Sequence, residues 1–78
     1  MTGTIFQIFE HLQEGSWAEF VDQNELSWFI RWDQYSGFVI RDPITLEWNI
    51  AKMSPQFVGA EWTLFDYPRG LSIDPPTL

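Results

Sequence analysis

The feature that most constrains this chain is a change of apolar period at Gly15. Ahead of it, Ile5, Ile8, Phe9 and Leu12 recur at three- and four-residue spacing, which puts them on one face of a helix. Thr4 stands at the N-cap and Gln7, three residues on, completes a capping-box pattern. Gly15 takes the left-handed position that ends such a helix. Gln7, Glu10, His11 and Glu14 are left for the other face.

Behind Gly15 the period is two. Trp17-Ala18-Glu19-Phe20-Val21 is a short strand, closed by the polar stretch Asp22 to Glu25. Leu26, Trp28, Ile30 and Trp32 then alternate with Ser27, Phe29, Arg31 and Asp33. Asp33 to Gly37 is a turn, with Gly37 free to adopt positive φ. Phe38 to Arg41 is the next strand and Asp42-Pro43 the next turn. Thr45 to Ile50 alternates again, which predicts Leu46, Trp48 and Ile50 on a buried face. Ser54-Pro55 opens one short helical turn through Phe57, Gly59 ends it, and Trp62 to Tyr67 is a closing strand that Pro68 stops. Turns at such short intervals indicate an antiparallel meander. The expected architecture is one N-terminal helix packed on a four- or five-stranded antiparallel sheet, an α+β domain over residues 1–67. Residues 68–78, with Pro75-Pro76 and few apolar anchors, are expected to form an extended or mobile tail.

Seventy-eight residues hold one domain. Several of the strands carry large apolar groups on both faces: Phe29 opposes Trp28 and Ile30, and Val39 opposes Phe38 and Ile40. A single helix covers one face of a sheet, so the other is expected to meet a second copy in a homo-oligomer.

Composition narrows the function. Eleven acids against four basic residues give a net charge of −7, which disfavours direct binding to a nucleic-acid backbone. Without cysteine there is no disulfide framework, thiolate zinc site or thiol nucleophile. No apolar run is long enough to span a membrane, and the N-terminus lacks a signal-peptide pattern. Glu10, His11 and Glu14 form E-H-x-x-E, half of a carboxylate-bridged metal site; without a second such helix it reads as a solvated helix face. There is no G-x-S-x-G turn, no dinucleotide or P-loop fingerprint, and one histidine, so no enzyme and no cofactor is expected.

Two features remain. Residues 1–30 hold Glu10, Glu14, Glu19, Asp22 and Glu25 but neither Lys nor Arg, a field that suits a basic partner. The chain also has five tryptophans, with Arg31, Arg41 and Lys52 near them in sequence. Indoles stack flat ligands, and a few cations among them would hold a nucleotide-like anion. Trp28, Arg31, Trp32, Arg41 and Trp48 are the candidate ligand-binding residues.

The order of pieces has a counterpart. A short apolar helix ends in Leu12-Gln13-Glu14-Gly15, a meander follows, and then come Trp48, a Ser54-started turn and Gly59-Ala60-Glu61-Trp62 heading the closing strand. This resembles the small phage proteins of the Thoeris anti-defence type 2 family over about residues 4–67. Those proteins open with a helix ending in a Leu-Lys-x-Gly-like sequence and close with a Trp, a Ser and an Ala-x-Asp-Trp-like stretch. The chain departs from them just after the helix, where Trp17-Ala18-Glu19-Phe20 replaces a basic residue and Trp. Gln56 stands at a usually acidic position, and a long insertion is missing. The resemblance implies a non-enzymatic oligomer in the host cytoplasm that sequesters a cyclic ADP-ribose-type immune signal. The alternative expectation is an acidic, nucleic-acid-mimicking inhibitor of a basic host protein, a defence nuclease or CRISPR complex. A third is an assembly protein whose two-faced sheet builds an oligomer.

Overall fold

A computed structural model describes residues 1–65. One helix lies against one face of a six-stranded antiparallel sheet, so the fold class is α+β as expected. In chain order the elements are β1 (Thr2–Gly3), α1 (Ile5–Gln13), β2 (Trp17–Val21), β3 (Ser27–Asp33), β4 (Gly37–Arg41), β5 (Trp48–Ile50), α2 (Pro55–Val58) and β6 (Trp62–Phe65). Strands β2 to β5 form the meander. β6 then returns across the sheet, giving the order β1-β6-β2-β3-β4-β5. The expected count of four or five strands falls short because the two-residue β1 pairs with β6, Thr2 opposite Thr63 and Gly3 opposite Trp62. The end of the expected last strand and the tail at 68–78 lie outside the described residues.

Local chemistry sets the ends of α1. The Thr4 hydroxyl accepts from the Gln7 amide at 3.3 Å, while the Gln7 side chain accepts from the Thr4 amide at 2.8 Å. At the other end Gly15 has φ +109°, and its amide donates to the Leu12 carbonyl while Ser16 donates to His11. That pair of bonds is a Schellman closure, which needs a left-handed residue where Gly15 stands.

Two hairpin turns share one device. Asp22 Oδ1 accepts from the amides of Asn24 and Leu26, and Asp42 Oδ1 accepts from those of Ile44 and Thr45. Each turn then passes through a residue at φ +62°, Glu25 in the first and Leu46 in the second. The first is closed by the Glu25 amide on the Asp22 carbonyl and the second, one residue longer, by the Leu46 amide on the Asp42 carbonyl; in both the left-handed residue matches the twist of the flanking strands.

The second turn overturns the reading of residues 45–50. Leu46 lies in the turn and is 53% exposed, and the strand begins only at Trp48. Ile50, on the outer edge, is 68% exposed and Trp48 is half-buried. These three residues form no buried face. An edge strand has a neighbour on one side alone, so alternation there does not imply burial.

The core lies between α1 and the sheet. Ile5, Ile8 and Leu12 meet Ala18, Ile30, Ile40 and Trp62, with Ala60 beside them. Trp62 is fully buried and its Nε1 donates to the Phe57 carbonyl at 3.0 Å. That bond ties α2 to the closing strand and satisfies the one polar atom of a buried indole.

Candidate functional site

The register of the sheet decides which side chains can act together. Ala18, Ile30, Ile40 and Asn49 are mutual partners across four strands, so they share the face that packs on α1. One residue along, Trp17, Arg31, Val39 and Ile50 form a row on the opposite, helix-free face. Glu19, Phe29, Arg41 and Trp48 form the next row on that face. β6 extends both rows, with Phe65 opposite Trp17 and Thr63 opposite Glu19.

The five candidate residues therefore do not meet in one pocket. Arg31, Arg41 and Trp48 gather on the helix-free face, whereas Trp28 and Trp32 point to the helix side. Trp28 Nε1 donates to Asp22 Oδ2 at 2.9 Å and its ring packs edge-on against Phe57 at 5.1 Å. It lines a shallow cleft of about 200 Å³ with Asp42, Asn49, Lys52 and Phe57. Trp32 packs against Phe38 at 4.9 Å, and Phe38 in turn meets Phe9 of α1 at 4.7 Å.

The helix-free face is a layer of rings with two guanidinium groups laid over it. Trp17 is buried, stacked on Phe65 at 4.7 Å and set edge-on to Phe29 at 5.3 Å. Arg31 Cζ lies 4.9 Å from the centre of the Trp48 ring, and Arg41 Cζ lies 5.7 Å from that of Phe29. Stacking on a ring fixes the plane of each guanidinium, with its Nε buried and the residue as a whole half-buried.

Among the described residues the one ion pair is His11 Nδ1 with Glu14 Oε1, 3.6 Å apart on the exposed side of α1. Neither arginine has a carboxylate partner there. The Nε atoms of Arg31 and Arg41 and the Nε1 of Trp48 are buried and have no acceptor among the described residues. All three are donors, so what complements them is an acceptor. Glu19 shares the row, but Phe29 stands between it and Arg41, two strands or about 10 Å apart. Asp33, two residues along β3 from Arg31, lies on the same face as well, so two guanidinium groups and two carboxylates share the aromatic floor without an ion pair between them among the described residues.

The acidic residues of the first thirty positions divide differently. Glu10 and Glu14 are exposed on α1 and Glu25 in the first hairpin turn, while Glu19 lies on the helix-free face. Asp22 is engaged internally. The bond from Trp28, then those from the Leu26 and Asn24 amides, hold its carboxyl below the ordinary aspartate value of 3.8. No group of three or more His, Cys, Asp or Glu that would hold a metal occurs among the described residues. No helix among them is long and apolar enough to cross a membrane.

Phe29, Trp17 and Phe65 also belong to this surface, beyond the five residues expected from the sequence. The signal for the first two was the odd-numbered parity of β2 and β3, which groups them with Arg31 and sets Trp28 and Trp32 apart. The class defined by this geometry is an open α+β sheet with one face covered by a helix and the other armed with stacked arginines. Compared with protein-family models, curated proteins and solved structures, the chain matches none.

Proposed function

We propose that this chain is a non-catalytic binding protein that takes up a nucleotide-derived anion on its helix-free sheet face. The observation that carries this reading is the pair of stacked guanidinium groups, Arg31 on Trp48 and Arg41 on Phe29, with no carboxylate paired to either among the described residues. Phosphate oxygens complement guanidinium N–H groups, and a purine or nicotinamide ring complements the aromatic floor. The mechanism is stoichiometric: binding depletes the free ligand and no bond is made or broken. The resemblance to Thoeris anti-defence type 2 proteins agrees with this chemistry and gives it a setting, capture of a cyclic ADP-ribose-type immune signal in the host cytoplasm.

The test is a thermal-shift titration against cyclic nucleotides and cyclic ADP-ribose isomers at low salt. A ligand at 100 times its Kd adds about 2.7 kcal/mol of stability, a rise of several degrees in a domain of this size. A flat response across the panel would overturn the reading.

A further inference from the structure

The open edge of β5 has the geometry of a self-pairing strand. Asp42 donates to the Glu47 carbonyl and Ala51 to the Phe38 carbonyl. Because antiparallel ladders alternate, Ile40 and Asn49 form the hydrogen-bonded pair between these two. Asn49 therefore turns its backbone groups inward to β4, while Trp48 and Ile50 turn theirs to the outside. β5 is the last strand of the sheet among the described residues. Trp48 to Ile50 carries no charge and no proline, the usual means of blunting an edge. Around it Ile44, Leu46 and Ile50 are 76%, 53% and 68% exposed.

We infer that a second copy of this chain pairs antiparallel with this edge, about a two-fold axis at Asn49. In that register Trp48 faces Ile50 of the second copy, and each donates to and accepts from the other. The same operation sets Glu47 of one copy opposite Ala51 of the other, one residue from its Lys52. Glu47 and Lys52 are both exposed at the two ends of β5, and Lys52 is among the residues that line the cleft beside Trp28 and Asn49. The operation thus brings two opposite-charge pairs close together in a chain with only four basic residues. A two-fold interface requires that one surface carry both halves of each interaction, and this edge does.

The pairing also extends the ligand face. Trp48 is the last residue of its row, so Ile50 of the second copy continues the row beyond it. Both Arg31–Trp48 stacks then lie on one twelve-stranded surface, twice the six strands of each copy. This last step rests on the proposed ligand reading; the interface itself does not.

The test is the mass in solution, by light scattering on the eluting full chain, across about 1–100 µM. The expected species holds two chains of 9.2 kDa each. Ile50→Pro removes an N–H that points away from β4, so it leaves the internal ladder whole and yields a folded single chain by circular dichroism. Glu47→Lys raises the dissociation constant about tenfold, and adding Lys52→Glu restores it. If Ile50→Pro unfolds the domain, the Glu47/Lys52 series decides. A wild type that stays single throughout, a folded Ile50→Pro variant that stays paired, or a charge swap without rescue would each overturn the interface. A single chain that still binds a cyclic nucleotide overturns the interface and spares the ligand reading. A dimer that binds none of the panel does the reverse.

Discussion

Arg31→Ala separates the two roles that a stacked arginine can have. In the free protein its guanidinium lies 4.9 Å from the Trp48 ring centre, over a half-buried indole at the sheet edge. A cation–π contact there contributes about 0.5–1 kcal/mol. With no carboxylate paired to it among the described residues, no buried counter-charge is orphaned by its removal. The stability loss should therefore stay near 1 kcal/mol, about 4–8 °C in melting temperature for a domain of this size. In the complex the same group donates charge-assisted hydrogen bonds worth about 1.5–3 kcal/mol. The affinity for a phosphate-bearing ligand should then fall about 10- to 150-fold. Arg31→Lys keeps the charge but loses the planar fork, and should recover part of that loss. The assay is a calorimetric titration paired with melts of the free variants. Unchanged affinity in Arg31→Ala would refute the placement of the ligand. A free-state loss above about 3 kcal/mol would refute the claim that Arg31 is held by stacking alone.

Two further outcomes follow from the core and the first hairpin. Trp62→Phe removes the second ring of a fully buried indole and its bond to the Phe57 carbonyl, and should cost about 2–3 kcal/mol in urea unfolding. Trp48→Phe, half-buried at the edge, should cost far less, and equal losses would contradict the assigned core. Asp22→Asn leaves the Trp28 Nε1 facing an amide and lowers the melting temperature at pH 7. Because the Asp22 carboxyl is held below its ordinary value, its contribution is complete above about pH 3.8 and is lost as pH falls through the native value. The gap between wild type and Asp22→Asn should close in acid; a gap that does not narrow as pH falls below the ordinary aspartate value of 3.8 would disprove the coupling.

What was legible in the sequence was what neighbouring residues encode. The capping box at Thr4 and Gln7, the left-handed Gly15, the Asp33–Gly37 turn and the Ser54-Pro55 helix start each depend on groups a few residues apart. Partners far along the chain were not legible. Nothing in Thr2-Gly3 announces a strand, because those two residues are ordered by β6. The position of β6 beside β2 is likewise a long-range pairing. Leu46 and Ile50 show that alternation marks a strand's faces but not whether either face is covered. The site was half legible: Arg31, Arg41 and Trp48 do gather, and Trp28 and Trp32 were grouped with them on nearness in sequence although β3 alternates its side chains between faces.

The return of β6 also governs when this protein becomes a protein. β2 gains its outer neighbour, and β1 its sole described partner, only when residues 62–65 are present. Until then the emerging chain holds a capped helix and a four-stranded meander whose β2 edge is open and whose apolar layer lacks Trp62. Closing that gap joins Trp17 to Phe65, and Thr2 to Thr63 across nearly all of the described sequence, a slow step by the topology of its contacts. A chain cut off before residue 62 therefore holds at most a half-built sheet, and the strand that completes it is the last of those described.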